Sequence, residues 1–564
     1  MRLNQYFFVL FLLLWCWTDF KAEPLRGEDI SHETESAQQA IFDAELADSK
    51  LNAPPRIRNV ILMIGDGMGP QQMGLLFAYA RHSQAAENSK KPLAERSSAI
   101  ERLAAQGNVG IVRTNPHGAL VVDSAAAATQ LATGAWAGSE MIGVDYQGNN
   151  AKTVLEWARD TGRSTGLVSD TRLTHATPAA FAAHQRHRSM ENEIAVDMLT
   201  NKVDVLMSGG LRHWIPQAVN QRDSASYMAI VQMIGGAFDP SSKRQDNRNL
   251  LLEARGEYQL VFDRTALEQV SDGKVLGLFA NSEMLDAIGE RKTIESGVRT
   301  EPTLVEMTEK ALEILGKNPK GFFLMVEGGQ IDWAGHNNDA GDMLWELIQF
   351  DEAVESVFQW ASKRDDTLIL ITADHETGSF GFSYSGFEIP APRSIGGDVF
   401  GEAPFSPNFN YGPHHALDDL AAQQKSYFEI FTEFDALPSK EQTPERLMQI
   451  VNDAVKPYTI TLADAAKLLT RMPNRFYQEG HPYLGTQTVP QMPDQEAYFV
   501  YGENLRMNRL GHLLGKQQHV VWGTGTHTNT PVLVVSFGPG AEQFTGILHA
   551  TDIGKRTIQI IRNE

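Results

Sequence analysis

The hydrophobic pattern of the chain alternates between short continuous apolar runs and longer amphipathic stretches. Short apolar runs bounded by glycine or polar residues are typical of strands buried on both faces, and amphipathic stretches are typical of helices. The predicted strands are 58–64, 109–112, 164–169, 203–210, 322–327, 367–373 and the apolar run that follows His527. The predicted helices lie near 72–106, after Ser124, at 153–162, 302–316 and 341–363, and near 417–435 and 442–470, and a last one follows residue 554. The alternation predicts an α/β fold with a mostly parallel central sheet and helices on both faces.

Two interruptions of this pattern set the predicted domain boundaries. Residues 1–22 contain a twelve-residue apolar run, YFFVLFLLLWCW, that is too short to span a bilayer and is typical of a signal peptide. Residues 23–56 are polar and acidic and are predicted to form a flexible N-terminal arm. The main domain is predicted to comprise 57–382 and 521–564. The stretch 383–520, rich in proline and glycine and then in helical patterns, is predicted to be an inserted subdomain.

Composition narrows the classes of protein that fit the chain. The net charge of −21 argues against a nucleic-acid binder, because a phosphate backbone would be repelled. The only cysteine, Cys16, lies in the segment that signal cleavage would remove, so the mature chain is expected to have no disulfide. No later stretch is apolar enough for a transmembrane helix, so we expect no membrane attachment after cleavage. An exported, disulfide-free protein of this size indicates a bacterial periplasmic or secreted location.

Chemically reactive side chains stand where the predicted strands end. Asp66, Glu327 and Asp374 each lie at the carboxyl end of an apolar run. Five more reactive residues follow strands at a short distance: Ser124, Thr177, Asp332, His336 and His375. Because ligands of parallel sheets collect outside the carboxyl ends of the strands, we expect one shared site at that edge.

Several of these residues also have an ordinary structural interpretation. Asp66 fits a turn, and Ser124 fits a helix N-cap. Thr177 fits a cap ahead of Pro178, which is at a plausible first helical position. Ser124 would alternatively be a nucleophile at a helix N-terminus, where backbone donors and the helix dipole favour an anion. Arg188 would ordinarily be a surface cation, and only its association with the other residues suggests a role.

The ligand types at the predicted edge favour metal ions. Imidazole combined with carboxylate suits zinc, whereas carboxylate and hydroxyl oxygens suit magnesium, and two zinc sites and one oxygen-rich site can be filled. Two metal ions about 3.5–4 Å apart can hold the attacking and the leaving oxygen of an in-line displacement. A serine oxygen beside a dication becomes a nucleophile at ordinary pH. Arg188 could bind two phosphate oxygens as a fork.

Six segments follow one another from about residue 57 to the end of the chain. They are IGDGMG, DSAAAAT, HATPAA with the later Arg188, MVEGGQIDWAGH, TADHETG and GTHTNTPVLVVSFGPGA. Together they resemble the successive signature segments of the alkaline phosphatase family. The resemblance implies an alkaline-phosphatase-like α/β fold with a long insertion before the last metal ligand.

The resemblance also implies a role for each candidate residue. Ser124 would be the phosphorylated nucleophile, and Asp123 would orient Arg188. One Zn²⁺ would be held by Asp332, His336 and His527, and a second Zn²⁺ by Asp374, His375 and Asp66. One Mg²⁺ would be held by Asp66, Thr177 and Glu327, with Asp66 bridging two ions. The implied reaction is the hydrolysis of small phosphate monoesters through a phosphoseryl intermediate, in a protein expected to be a homodimer.

The chain departs from the family pattern in three places. His175 stands where some members have an aspartate near the magnesium, so the ion in the third site is open. Trp333 stands where others carry lysine or histidine near the phosphate, so the affinity for phosphate is open as well. The segment between His375 and His527 is longer than expected, and it would cap the site, embrace a second subunit, or do both.

Three classes of function compete for this pattern. The leading one is a secreted or periplasmic phosphomonoesterase, and the next is a phosphodiesterase or sulfatase on the same metal scaffold. Arg188 favours a monoester, because a diester would occupy part of the phosphate that the arginine grips. A non-catalytic zinc or phosphate scavenger is the third, and Ser124 argues against it, because a pure binder needs no oxygen poised at a helix start. No stable nucleic-acid partner is expected.

Overall fold

The computed structural model describes residues 57–492 and 501–562. The predicted signal peptide, 1–22, and the predicted arm, 23–56, lie outside the described residues. Within the two described ranges, no helix is both long enough and apolar enough to cross a membrane.

Within 57–492 and 501–562, sixteen strands form one large sheet and three two-stranded ribbons. In chain order they are β1 (Asn59–Gly65), β2 (Asn108–Arg113), β3 (Ser164–Arg172), β4 (Val205–Gly209), β5 (Tyr258–Val261), β6 (Lys274–Leu278), β7 (Phe322–Gly328), β8 (Thr367–Thr372), β9 (Glu376–Thr377), β10 (Phe380–Phe382), β11 (Arg471–Pro473), β12 (Thr488–Pro490), β13 (Val520–Trp522), β14 (His527–Thr528), β15 (Val532–Phe537) and β16 (Gly546–His549). The ribbons pair β9 with β14, β10 with β13, and β11 with β12.

The large sheet has ten strands in the order β16-β2-β15-β8-β1-β7-β3-β4-β6-β5. Every neighbouring pair is parallel except the two that β15 makes with β8 and β2. Every residue of β1, β7 and β8 is buried, which means that both faces of the central sheet are covered. The predicted mostly parallel α/β sheet is confirmed. Strands β5 and β6 were not predicted, since 211–300 carries no clear motif.

Helices cover the sheet. They are α1 (Pro70–His82), α2 (Gln84–Asn88), α3 (Ala99–Gln106), α4 (Ser124–Thr133), α5 (Val154–Asp160), α6 (Ala176–Ala182), α7 (Glu191–Asn201), α8 (Ala225–Met233), α9 (Leu250–Ala254), α10 (Arg264–Gln269), α11 (Ala287–Ser296), α12 (Leu304–Leu315), α13 (Gln330–Asn337), α14 (Ala340–Ala361), α15 (Gly397–Phe400), α16 (His415–Ala421), α17 (Tyr427–Asp435), α18 (Pro444–Ala454), α19 (Leu462–Leu469), α20 (Leu505–Gln518) and α21 (Ala550–Arg562). The single helical stretch predicted near 72–106 is therefore three separate helices.

The segment 383–520 contributes to the same apolar core as the sheet. Leu417, Ile430, Leu447 and Leu510, from four of its helices, belong to one continuous cluster of buried residues that also includes the central strands. Whether this segment is a separate inserted subdomain, with boundaries at 383 and 520, stays a prediction.

The long helix α14 supports the strand that carries part of the candidate site. Phe350 of this helix is fully buried, and its ring lies so close to Gly328 that a β-carbon there would meet Phe350 Cδ2 at 2.7 Å. We expect Phe350→Ala to lower the free energy of unfolding by about 3–5 kcal/mol, because the lost ring leaves a cavity. Phe428→Ala, at a 52% exposed position, is the matched control and is expected to change it by about 0.5 kcal/mol or less. Equal losses in denaturant titrations of the two variants would contradict this packing.

Candidate active site

Adjacent strands bring three carboxylates to one edge of the sheet. Asp66 directly follows β1, Glu327 is the penultimate residue of β7, and Asp374 is the second residue after β8. The pairing of β1 sets Ile64 opposite both Glu327 and Thr372, so the three strands end at the same level. Each of the three carboxylates is at most 1% exposed. The predicted gathering at the carboxyl edge is therefore present.

A first group joins Asp332 and His336 of α13 with His527 of β14. Their ligand atoms all lie within 4.8 Å of one another, and His336 Nε2 is 3.2 Å from Asp332 Oδ2 and 3.0 Å from His527 Nε2. The Nδ1 atoms of the two rings face the carbonyl oxygens of Gly525 and Val122 at 2.8 Å, so each Nδ1 donates its proton there. Neutral rings of this tautomer direct two Nε2 lone pairs toward each other. A cation between them would stabilise this arrangement.

A second group joins Asp66, Asp374 and His375. His375 Nε2 is 3.3 Å from Asp66 Oδ1 and 3.2 Å from Asp374 Oδ2. The backbone N–H of Gly67 donates to Asp374 Oδ1 at 3.2 Å and holds that carboxylate in place. Ser124 Oγ lies 3.2 Å from the same His375 Nε2. The serine oxygen is therefore at the edge of a group that could hold a metal ion.

A third group shares Asp66 with the second and adds Glu327 and His175. The ligand atoms of these three residues lie within 4.8 Å of one another. Thr177 Oγ1 donates to Asp66 Oδ2 at 3.4 Å. Thr177 does not cap its helix, contrary to the cap interpretation, because α6 begins one residue earlier and its N-cap is His175. Pro178 is correspondingly the third residue of the helix and not the first.

Hydroxyl groups that the sequence analysis missed support two of the carboxylates. Ser169 Oγ donates to Glu327 Oε2, and Thr171 Oγ1 donates to the same oxygen at 3.3 Å. Thr377 Oγ1 donates to Asp332 Oδ1. Ser169 and Thr171 follow the apolar residues of β3, so the sequence pattern could have placed both hydroxyls at the carboxyl edge of the sheet.

The electrostatics of the groups fit divalent cations. Three carboxylate oxygens of these groups are buried without a hydrogen-bond partner: Asp66 Oδ1, Glu327 Oε1 and Asp374 Oδ2. Burial and the charge of Asp374 raise the pKa of Asp66 well above its usual value, and burial raises the pKa of Glu327 to about 7. Burial and the charge of Asp332 likewise raise the pKa of Asp374. Cations would favour the ionised carboxylates and occupy the orphaned oxygens, so this donor set fits them.

Ser124 is the first residue of α4, and the N-cap is Asp123. The N-cap interpretation of Ser124 is therefore wrong, because the preceding aspartate already accepts the free N–H groups of Ala125 at 3.0 Å and Ala126 at 3.4 Å. Ser124 is 1% exposed, and its oxygen is left free of the capping role at the positive end of the helix dipole.

Arg188 is held from two sides next to the serine. Its Nη1 donates to Asp123 Oδ2 at 3.2 Å, and its Nη2 donates to His175 Nε2 at 3.1 Å. Asp123 also accepts the backbone N–H of Glu140 at 2.8 Å, which fixes its carboxylate. Burial and the charge of Arg188 lower the pKa of His175 well below its usual value, which keeps the ring neutral and able to accept. Trp333 packs edge-on against His175, with ring centres 5.8 Å apart.

Comparison with known proteins agrees with these observations. The sequence matches the family model described as Alkaline phosphatase over residues 57–562. Alkaline phosphatase 3 of Bacillus subtilis (strain 168) is 30% identical over 535 residues, which cover 93% of this chain and 94% of that protein. The tissue-nonspecific alkaline phosphatase isozyme of Felis catus is 32% identical over 418 residues, covering 68% of this chain and 73% of that protein.

Solved structures show the same fold. The cold-active alkaline phosphatase of the psychrophile Shewanella sp. aligns with a TM-score of 0.61 and 26% identity, covering 89% of this chain and 99% of that one. The Thermus thermophilus alkaline phosphatase aligns with a TM-score of 0.69 and 24% identity, covering 90% of this chain and 92% of that one, which supports the fold alone. Because the family model spans the main sheet and all three residue groups, the chain belongs to the alkaline phosphatase family of phosphoric monoester hydrolases.

Proposed function

We propose that this protein is an exported phosphomonoesterase that forms a phosphoseryl intermediate on Ser124. One observation carries the proposal: Ser124 Oγ is buried at a helix N-terminus, 3.2 Å from His375 Nε2 of one metal-type group. Asp123, the residue before Ser124, and His175 hold the Arg188 guanidinium. A nucleophile, an anion-binding helix end and a fixed guanidinium are the parts that phosphoryl transfer needs.

The three residue groups would hold the metal ions of this metal-dependent family. The first group, Asp332, His336 and His527, and the second, Asp66, Asp374 and His375, combine imidazole and carboxylate and suit Zn²⁺. The third, Asp66, Glu327 and Thr177, is rich in oxygen and suits Mg²⁺, while the nearby His175 leaves room for a metal that prefers nitrogen. When bound, such ions supply Lewis-acid stabilisation of the attacking and leaving oxygens.

The side chains of the chain itself then account for the two displacements. Ser124 Oγ gives up its proton to solvent and attacks phosphorus in line, the bond from phosphorus to the ester oxygen breaks, and the alcohol departs with a proton from solvent. Water next attacks the phosphoserine in line, from the face that the alcohol left and opposite Oγ. The bond from phosphorus to Oγ breaks, inorganic phosphate is released, and Ser124 regains a proton. Through both steps Arg188 donates to two non-bridging oxygens, and the N-terminus of α4 stabilises their charge.

Substrate comparison tests the proposal against its alternatives. Metal-loaded protein is expected to hydrolyse an aryl phosphate monoester much faster than the corresponding aryl diester or aryl sulfate. A preference for the diester or the sulfate would contradict the proposed monoesterase activity, although it would remain compatible with metal ions in the three residue groups. If zinc-loaded protein hydrolyses none of these three substrates, the result would favour a non-catalytic zinc or phosphate scavenger.

Removing Arg188 should affect monoesters selectively. We expect Arg188→Ala to lower kcat/KM for an aryl phosphate monoester about 10- to 100-fold, because one or two charge-assisted hydrogen bonds to the phosphate are lost. The loss for the aryl diester should be smaller, since one of its oxygens carries a second substituent. Arg186→Ala, an exposed arginine two residues earlier, is the control and should change neither value appreciably. Equal losses of kcat/KM for the monoester and the diester would contradict the proposal that Arg188 donates to two non-bridging phosphate oxygens.

The cellular setting of the enzyme belongs to the same proposal. We place it in the periplasm or outside a bacterial cell as a homodimer, on the basis of the apolar run within 1–22 and of its family. The expected findings are a secreted chain whose N-terminus lies near Ala22 and a dimeric mass in light scattering at micromolar concentration. A monomeric mass would contradict the dimer.

A further inference from the structure

A ladder of aromatic rings leads from the candidate site to the surface. The Tyr501 ring packs edge-on against His336 of the first group, with ring centres 4.9 Å apart and planes at 76°. Tyr483 packs edge-on against Tyr501, with centres 5.6 Å apart and planes at 90°. His481 follows at 6.4 Å from Tyr483. All three outer rings come from the segment 383–520, to which the mechanism assigns no chemistry.

The first group connects the Tyr501 ring to Ser124, because the His375 ring, whose Nε2 is 3.2 Å from Ser124 Oγ, stacks on His527 with ring centres 3.5 Å apart. A monoester whose phosphate lies between Ser124 and Arg188 has to extend its organic group out of this buried space. From the first group, the rings of Tyr501 and then of Tyr483, which is 53% exposed, continue outward to the surface.

We propose that Tyr501 and Tyr483 form a leaving-group subsite that favours phosphomonoesters with a planar aromatic leaving group over alkyl phosphates. This inference rests on the proposed phosphomonoesterase function. The faces and edges of aromatic side chains attract planar rings. Binding is further favoured when the ligand ring removes a half-exposed aromatic side chain from water. Glycerol or a similar alkyl group offers no π-face to such a surface.

Two kinds of substrate have an aromatic ring in the leaving group, and this ring would contact a different tyrosine in each. In an aryl phosphate the ring is bonded directly to the ester oxygen, so it would contact Tyr501. In a nucleoside monophosphate the ribose separates the base from the phosphate, so the base would contact the outer residue, Tyr483. The two tyrosines can therefore be tested separately.

The test compares kcat/KM for phenyl phosphate, a nucleoside 5′-monophosphate and glycerol phosphate in the metal-loaded enzyme. Tyr501→Leu should lower the phenyl-to-glycerol ratio roughly threefold to tenfold, the range expected for one aromatic pair. Tyr501→Phe should retain the ratio, because the ring remains. Tyr483→Leu should lower the nucleotide-to-glycerol ratio by a similar factor. Tyr411→Leu, at a 66% exposed tyrosine outside the ladder, is the matched control and should leave every ratio unchanged.

The ratios separate selectivity from damage to the fold. A distorted site would slow all three substrates together and leave the ratios intact, and that result in both leucine variants would overturn the subsite. If Tyr501→Leu does not fold, Tyr483→Leu and its nucleotide ratio decide the matter. Failure of the wild-type enzyme to hydrolyse any of the three would reject the proposed function itself, a result distinct from unchanged ratios in an active enzyme.

Discussion

Replacing Ser124 by alanine is expected to lower kcat for a phosphate monoester by about 10³- to 10⁶-fold. In the proposed mechanism Ser124 Oγ, at the start of α4 and beside His375, is the nucleophile, so the covalent route would be lost with it. A small residual rate is expected, because water can attack a phosphate that Arg188 still holds. Steady-state kinetics with metal-loaded protein measure the loss.

The matched control for this variant is Ser362→Ala, at an exposed serine beyond the C-terminus of α14. It should leave kcat unchanged. Ser124→Ala should also bind inorganic phosphate, which shows that the site is still formed. A variant that keeps more than a tenth of the wild-type rate would contradict a serine nucleophile.

Removing the metal ions should abolish turnover and destabilise the fold. The buried oxygens of Asp66, Asp374 and Glu327 have no hydrogen-bond partner, so removing the proposed cations with a chelator would leave these carboxylates without a balancing charge. A ligand present at about a thousand times its Kd contributes about 4 kcal/mol of stability, so we expect Tm to fall by about 5 °C or more. Differential scanning calorimetry measures this shift, and added Zn²⁺ and Mg²⁺ should restore both Tm and activity.

Two variants make this stability test specific. Asp374→Asn removes one carboxylate of the second group, so the shift in Tm caused by the chelator should shrink. Asp365→Asn, at an exposed aspartate, should keep the full wild-type shift. A chelator that leaves Tm unchanged in the wild-type protein would show that the three groups hold no ions.

The metal-free protein should also respond to pH in a defined direction. Burial raises the pKa of Glu327 from an ordinary 4.5 to about 7, so between these values the folded state holds a proton that the unfolded state releases. By linkage, stability falls as pH rises through this window. Tm of chelated protein should therefore decrease from about pH 4.5 to about pH 7, and the metal-loaded protein should decrease less, because cations keep the carboxylates ionised.

Much of the fold was readable from the sequence because its central strands are buried on both faces. The continuous apolar runs of β1, β7 and β8 mark these strands, and each run ends at a reactive carboxylate. Asp66, Glu327 and Asp374 could be assigned to one edge because parallel strands end together. The edge strand β5 and its neighbour β6 have only four and five residues, and they lie in 211–300, where no motif marks them.

Details that depend on side-chain competition or tertiary contacts were not readable. The sequence pattern does not decide whether Asp123 or Ser124 caps α4, since both residue types are good caps and only the backbone places one outside the helix. The same holds for His175 and Thr177 at α6. The position of Tyr501 beside His336 depends on how a distant segment packs, so no local signal announces it.

The stereochemical course of hydrolysis tests the double displacement most directly. A phosphate monoester made chiral with three oxygen isotopes would be turned over in an excess of an alcohol acceptor, and the configuration at phosphorus of the transferred group determined. Each in-line displacement inverts phosphorus, so attack by Ser124 followed by attack of the acceptor predicts overall retention. Overall inversion would show a single direct displacement and would contradict the phosphoseryl intermediate.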